Sequence, residues 1–203
     1  MEKQGNLIIT ILLALIIIGL GSTIYIMNSH KSENPLLTKN MQIDYGEYNP
    51  DAPIETKQFG QLVGVWSCIS EDLMPDSTFY QSRATWIFKY ILDGYAIEDI
   101  WSEKKEDKTN NTLRIGRDFK GKNIRMYNLQ IKKWQCVWLE NRTNTIFPVW
   151  EAEYKNDEIV MHDGSGTWEI VFFNLTRNSF DWKYWTKNQD EWSIVSKIQC
   201  SRL

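Results

Sequence analysis

The fold is decided by the stretch Leu62-Val63-Gly64-Val65-Trp66-Ser67-Cys68-Ile69, which we interpret as the opening strand of a closed β-barrel. Alternate side chains of a strand share one face. Leu62, Gly64, Trp66 and Cys68 therefore point to the same side, and the bulk of the Trp66 indole marks this side as the interior.

The last strand, residues 192–203, is the predicted partner of this stretch. An antiparallel register that sets Trp66 opposite Arg202 also sets Cys68 opposite Cys200. This pairing predicts an arginine over an indole face, worth ~0.5–2 kcal/mol, and two thiols within reach of a disulfide. Such a disulfide fits an oxidising compartment, with Cys136 left as a buried free thiol. Three reduced structural cysteines are the alternative.

From residue 61 onward, turn signals recur about every ten residues, a spacing typical of an all-β barrel or sandwich. Bulky side chains occupy alternate positions between these signals. We predict a hairpin at residues 92–94, a turn at residues 120–123 and a bulge or edge at Pro148. Because closure hides the sheet edges, we predict a single antiparallel up-and-down barrel of about 8–10 strands.

The N-terminal part of the chain has a different character. Residues 7–27 are uncharged and apolar, and about 20 apolar residues span a bilayer core. We predict a short tail at 1–6, a transmembrane anchor at 7–27, a flexible linker at 28–56 and the barrel domain at 57–203, with the barrel on the extracytoplasmic side. A helical turn within residues 54–62 would plug one end of the barrel. A cleaved signal peptide is the alternative for 7–27, although its apolar core is usually shorter, ~7–15 residues.

Charge and motifs exclude several function classes. The formal net charge is −3, and no Lys/Arg stripe follows a phosphate backbone, so we expect no nucleic-acid partner. No set of residues has metal-ligand spacing, and we interpret His162 as an ordinary strand histidine. No nucleotide-binding or nucleophile motif occurs. We therefore assign no catalytic residue, metal or cofactor, and we lean against an enzyme.

Two features resemble a known family. The Gly64-Val65-Trp66 opening, with a basic residue at the end of the closing strand, resembles the calycin superfamily of lipocalins and their relatives. A longer ordered series resembles a bacterial family of lipocalin-like domains of unknown function: Trp86-Ile87-Phe88, residues 92–101, Arg125-Met126-Tyr127, residues 134–138 and Phe180-Asp181-Trp182. The resemblance covers residues 59–203. It implies a calycin barrel and no known substrate.

Candidate site residues follow from the predicted interior faces. Asp99 and Arg125 each share a face with large apolar residues, and buried charges are expected to pair. They are either a polar anchor for a ligand or a structural ion pair. A tryptophan cup would surround them, or fill the interior as a solid core. Its members are Trp86, Trp101, Trp134, Trp138 and Trp182.

Three functions remain open from the sequence. The leading hypothesis is a membrane-tethered barrel that binds a small, largely apolar molecule in an aromatic-lined cavity. The second is an enzyme that uses the buried Asp99–Arg125 pair for acid–base chemistry, which requires Asp99 to face an open cavity. The third is a non-catalytic interaction module at the membrane surface, with a packed core and an exposed apolar patch beside Pro148.

Overall fold

Ten antiparallel strands close into a barrel in this computed structural model, which describes residues 43–103 and 118–203. A short helix, α1 (Thr56–Gly60), precedes the strands. The strands are β1 (Gly64–Leu73), β2 (Phe79–Ile91), β3 (Ala96–Glu103), β4 (Phe119–Asn128), β5 (Lys133–Glu140), β6 (Thr145–Ile146), β7 (Trp150–Lys155), β8 (Glu158–His162), β9 (Trp168–Phe173), β10 (Ser179–Asn188) and β11 (Glu191–Arg202). Sequential neighbours pair from β1 to β5 and from β7 to β11, and the β5–β7 and β1–β11 pairings close the ring. The two-residue β6 pairs with β5. The predicted antiparallel barrel is confirmed.

The seam between β1 and β11 has the predicted register. Trp66 lies opposite Arg202 and Cys68 lies opposite Cys200. The two cysteines are joined by a disulfide in the structure. The strand itself begins at Gly64 and extends to Leu73, so it is shifted toward the C-terminus relative to residues 62–69.

Alternation places the bulky side chains inside, as the sequence indicates. On β2, Ala84, Trp86 and Phe88 are buried while Arg83 is exposed. On β10, Phe180 is buried. The rings of Trp86, Phe88, Phe172 and Phe180 contact one another at centroid distances of 5.0–6.4 Å. Aromatic contacts of this kind add to the burial of apolar area, and they form the middle layer of the core.

The predicted turn at residues 120–123 is wrong, because these residues lie inside β4. Gly121 is needed there for packing rather than for a turn. A Cβ atom at position 121 would collide with the indole ring of Trp138. The absent side chain lets Trp138 lie flat against the backbone of the neighbouring strand. The predicted break at Pro148 does occur, between β6 and β7.

One end of the barrel, here called the helix end, is closed by α1. Phe59 and Leu62 are almost fully buried, and Phe59 packs edge-on against Trp134 with 4.8 Å between ring centroids. The predicted helical plug is therefore present. One compact unit spans Asp44–Leu203, and within it the backbone N–H of Tyr90 donates to the carbonyl of Tyr45 at 2.8 Å.

The predicted anchor at residues 7–27 lies outside the described residues. Within residues 43–103 and 118–203, no helix is long and apolar enough to cross a membrane.

Candidate functional site

A cavity of about 300 Å³ lies at the end of the barrel opposite α1, here called the cavity end. Its lining comes from the last residues of β1, β3 and β5 and the first residues of β4, β7 and β9. Because α1 precedes β1 and successive strands run in opposite directions, all these strand ends lie at the end of the barrel opposite α1. Six of the ten tryptophans of the sequence line it: Trp86, Trp101, Trp138, Trp150, Trp168 and Trp182.

Most of these rings form a continuous aromatic wall. In order along the wall they are Trp150, Trp168, Tyr184, Trp182, Trp86 and Trp101. Each ring centroid lies 5.1–6.4 Å from the next. Trp138 and Phe119 form a second contact, with 6.4 Å between their centroids. A pocket walled by aromatic rings is suited to a compact apolar or cationic body.

Polar groups enter the cavity at a few positions. Asp72 on β1 accepts a hydrogen bond from the hydroxyl of Ser196 on β11, at 2.7 Å. Glu140 on β5 accepts one from the indole N–H of Trp138, at 2.9 Å. The guanidinium of Arg142 lies 3.8 Å from the centre of the Phe119 ring. These groups give the apolar cavity a few polar positions on different strands.

Asp99 and Arg125 form an ion pair in the barrel interior. Asp99 pairs with Asn123 across the β3–β4 ladder, so Arg125 is its diagonal neighbour on the same face. The indole N–H of Trp86 donates to Oδ1 of Asp99 at 2.7 Å. With the Asn123 amide oriented to satisfy both its groups, its oxygen accepts from Nη2 of Arg125 at 3.0 Å. The pair is thus held by neutral partners on both sides.

Arg125 also sits among aromatic rings, between the cavity and α1. Its guanidinium carbon lies 4.7 Å from the centre of the Phe59 ring, and 5.8 Å from those of Phe88 and Phe172. Burial lowers the pKa of Arg125 to about 10, while the neighbouring Cys136 acts in the opposite direction. The guanidinium therefore remains charged at neutral pH, and its charge is compensated by Asp99.

Five of the seven predicted ligand-binding residues line the cavity. They are Trp86, Trp101, Arg125, Trp138 and Trp182. The structure places the other two elsewhere. Asp99 is fully buried behind Trp86 and Arg125 and is not a lining residue. Trp134 lies toward the helix end, where its indole N–H bonds Oε1 of Gln58 at 2.9 Å.

Several residues that line the cavity are not among the predicted site residues. Trp168 shares a strand face with Ile170 and Phe172, and this alternation could have identified it. Trp150 follows the break at Pro148. The alternation of inward and outward side chains cannot be continued across this break, so the sequence does not show whether Trp150 points into the barrel. Asp72 and Glu140 are polar residues near strand ends, a pattern that is common on protein surfaces and carries no local signal.

Two other predicted features lie away from the cavity. His162, in β8, accepts a hydrogen bond from the backbone N–H of Gly164 at 3.2 Å. No group of His, Cys, Asp and Glu residues in the described part of the chain could hold a metal ion. Cys136 is a buried free cysteine.

The comparisons with known proteins support the fold alone. No family model matches the sequence, and no curated protein matches it. Among solved structures, the chain is similar to the S-type phycobiliprotein lyase CPES from Guillardia theta, at a TM-score of 0.50 and 13% sequence identity. The similarity covers 72% of this chain and 91% of the lyase. This likeness and the closed ten-stranded ring identify a calycin-like barrel.

Proposed function

We propose that this barrel binds a small, largely apolar molecule in the cavity opposite α1. We also propose that residues 7–27 hold the chain at a membrane. The observation that carries the proposal is the cavity of about 300 Å³ lined by six tryptophans. Ligand sites are mostly apolar, with a few placed polar groups, and this lining of tryptophans with a few polar side chains has that character. The volume lies at the lower end of the range of ligand pockets, ~300–1,000 Å³, which favours a small ligand.

The similar solved structure is described as a phycobiliprotein lyase. This description is compatible with a barrel of this shape that receives a small molecule. The proposal for the present chain, however, depends on its own cavity.

The enzymatic alternative has less support. It requires Asp99 to face an open cavity, whereas Asp99 is buried and occupied by Trp86 and Arg125. The interaction-module alternative has one observation in its favour. Ile146 and Val149, which flank the Phe147-Pro148 pair, are 69% and 58% exposed.

The test compares two substitutions on β1. Ser70 is buried and lines the cavity, whereas Ser67 on the same strand is exposed. The full-length protein, reconstituted in lipid nanodiscs, is examined by native mass spectrometry for a co-purified small molecule. We expect a bound molecule in the wild type and in Ser67→Phe, and its loss in Ser70→Phe, where the new ring occupies the cavity. Equal retention in Ser70→Phe, or no bound molecule in any protein and no saturable binding of added apolar probes, would contradict the proposal.

A further inference from the structure

The cavity contains carboxylates without a cationic partner. Asp72 bonds the Ser196 hydroxyl, and Glu140 bonds the Trp138 indole and the Thr143 hydroxyl. Neither carboxylate forms an ion pair with a residue in 43–103 or 118–203. Their hydrogen-bond donors among these described residues are all neutral, so no described basic group compensates either negative charge.

The basic side chains that line the cavity are engaged differently. Arg125 is paired with Asp99. Arg142 is exposed at the rim and is stacked on the Phe119 ring. Because the charge of Arg125 is already compensated inside the barrel, it offers little to an anionic ligand. Apart from Arg125, the described lining residues include three carboxylates, Asp72, Glu103 and Glu140, and one basic group, Arg142, so their formal charge is negative.

The two carboxylates lie on nearly opposite sides of the barrel. Asp72 is on β1 and Glu140 is on β5, four strands apart in a ring of ten. The aromatic wall from Trp150 to Trp101 lines the cavity between them. The faces of aromatic rings attract cations, and this barrel already places cations over its rings at Arg125, Arg142 and Arg202.

We infer that the ligand of this cavity is a small organic cation, an amine or quaternary ammonium group carried on an apolar body. The apolar body packs among the tryptophans. The cationic group lies over the aromatic rings, and Asp72 and Glu140 supply negative charge that attracts it into the cavity. This inference rests on the proposed function and adds the charge of the ligand to it.

The test uses three water-soluble probes of equal size and different charge: 3-phenylpropylamine, 3-phenylpropan-1-ol and 3-phenylpropanoate. Each is titrated into the full-length protein in nanodiscs by calorimetry, with empty nanodiscs as the blank. We expect the amine to bind on the order of tenfold more tightly than the alcohol, as one or two cation–π contacts and a carboxylate imply. The carboxylate probe should bind most weakly.

Matched variants identify the groups responsible. Asp72→Asn and Glu140→Gln keep a hydrogen-bond acceptor for Ser196 and Trp138 while they remove the charge, and each should reduce the amine-to-alcohol preference several-fold. Glu71→Gln is the control, because Glu71 pairs with Lys197 outside the cavity, and it should leave the preference unchanged.

The outcomes separate the two proposals. Equal or stronger binding of the alcohol or the carboxylate probe, sensitive to Ser70→Phe, would overturn the inference about charge and leave the proposed function standing. A preference for the amine that survives both Asp72→Asn and Glu140→Gln would also overturn it. If none of the probes bound to the wild type, and no co-purified molecule was found, the proposed function itself would fail.

Discussion

The guanidinium carbon of Arg202 lies 4.1 Å from the centre of the Trp66 indole ring. The same guanidinium donates to the backbone carbonyls of Val63, at 2.7 Å, and Gln61, at 3.2 Å, while Nε donates to that of Arg177, at 2.6 Å. One side chain therefore ties the loop after α1, the β9–β10 loop and the opening strand together at the helix end.

Removal of this guanidinium should destabilise the barrel. We expect Arg202→Ala to lower the free energy of unfolding by roughly 2–3 kcal/mol, because it removes a cation–π contact and charge-assisted hydrogen bonds. Arg202→Lys should lie between wild type and alanine, since an ammonium cannot reach all three carbonyls in the plane of a guanidinium. Urea unfolding followed by tryptophan fluorescence measures the effect. The control is Arg83→Ala on the exposed face of β2, and equal stability of Arg202→Ala and this control would contradict the assigned role.

Gly64 makes room for Arg202. A Cβ atom at position 64 would collide with Nη1 of Arg202, and the backbone φ of Gly64 is +138°. We expect Gly64→Ala to cost at least ~2 kcal/mol, from backbone strain and steric conflict together. Gly164→Ala is the matched control, because Gly164 has φ +80° with nothing within 4 Å of the added atom, and it should cost about 1 kcal/mol of strain alone. Chemical denaturation of both variants makes the comparison. Equal losses would show that the conflict with Arg202 contributes nothing.

Much of the barrel could be predicted because alternation is a local property. The alternation of neighbouring residues shows that Trp86, Ile97 and Phe180 point into the barrel. In an antiparallel pair the numbers of opposed residues have a constant sum, so the pairing of Trp66 with Arg202 also places Cys68 opposite Cys200. The prediction of a turn at Gly121 is wrong because the requirement for a glycine at this position comes from a residue distant in sequence. Its polar neighbours indicate a turn, whereas the feature that requires a glycine is the ring of Trp138 on the next strand.

The position of a side chain along the barrel axis could not be predicted from the sequence. Alternation shows that Trp134 and Trp138 both point inward, but it does not show which end of the barrel each one occupies. Trp134 reaches Gln58 at the helix end, and Trp138 reaches Glu140 at the cavity end. This difference depends on the stagger of the strands and on α1, and both are set by contacts distant in sequence.

The buried pair of Asp99 and Arg125 should behave as a structural unit. We expect Asp99→Asn to cost ~3–5 kcal/mol of unfolding free energy, because it leaves the Arg125 charge buried without compensation. The double variant Asp99→Leu with Arg125→Met should recover most of this loss, since it removes both charges. Denaturation of the single and double variants forms the cycle. Glu71→Gln is the control, because Glu71 pairs with Lys197 and both side chains are partly exposed, so it should cost much less than Asp99→Asn. A double variant as unstable as Asp99→Asn would argue against this account.

Cys136 should give the protein a distinct response to alkaline pH. Burial raises the pKa of its thiol from 9.0 to about 12, with partial opposition from Arg125 and Trp150. The unfolded chain therefore releases the thiol proton at a lower pH than the folded barrel, so the stability contribution is constant below pH 9 and declines above it. We expect the wild type to lose about 1 kcal/mol more than Cys136→Ser between pH 9 and pH 10, because serine does not titrate there. Unfolding in urea at the two pH values measures the difference. The same thiol should be unreactive toward alkylating reagents until the barrel is unfolded. Parallel curves for the two proteins, or rapid alkylation of Cys136 in the native barrel, would contradict its burial beside Arg125.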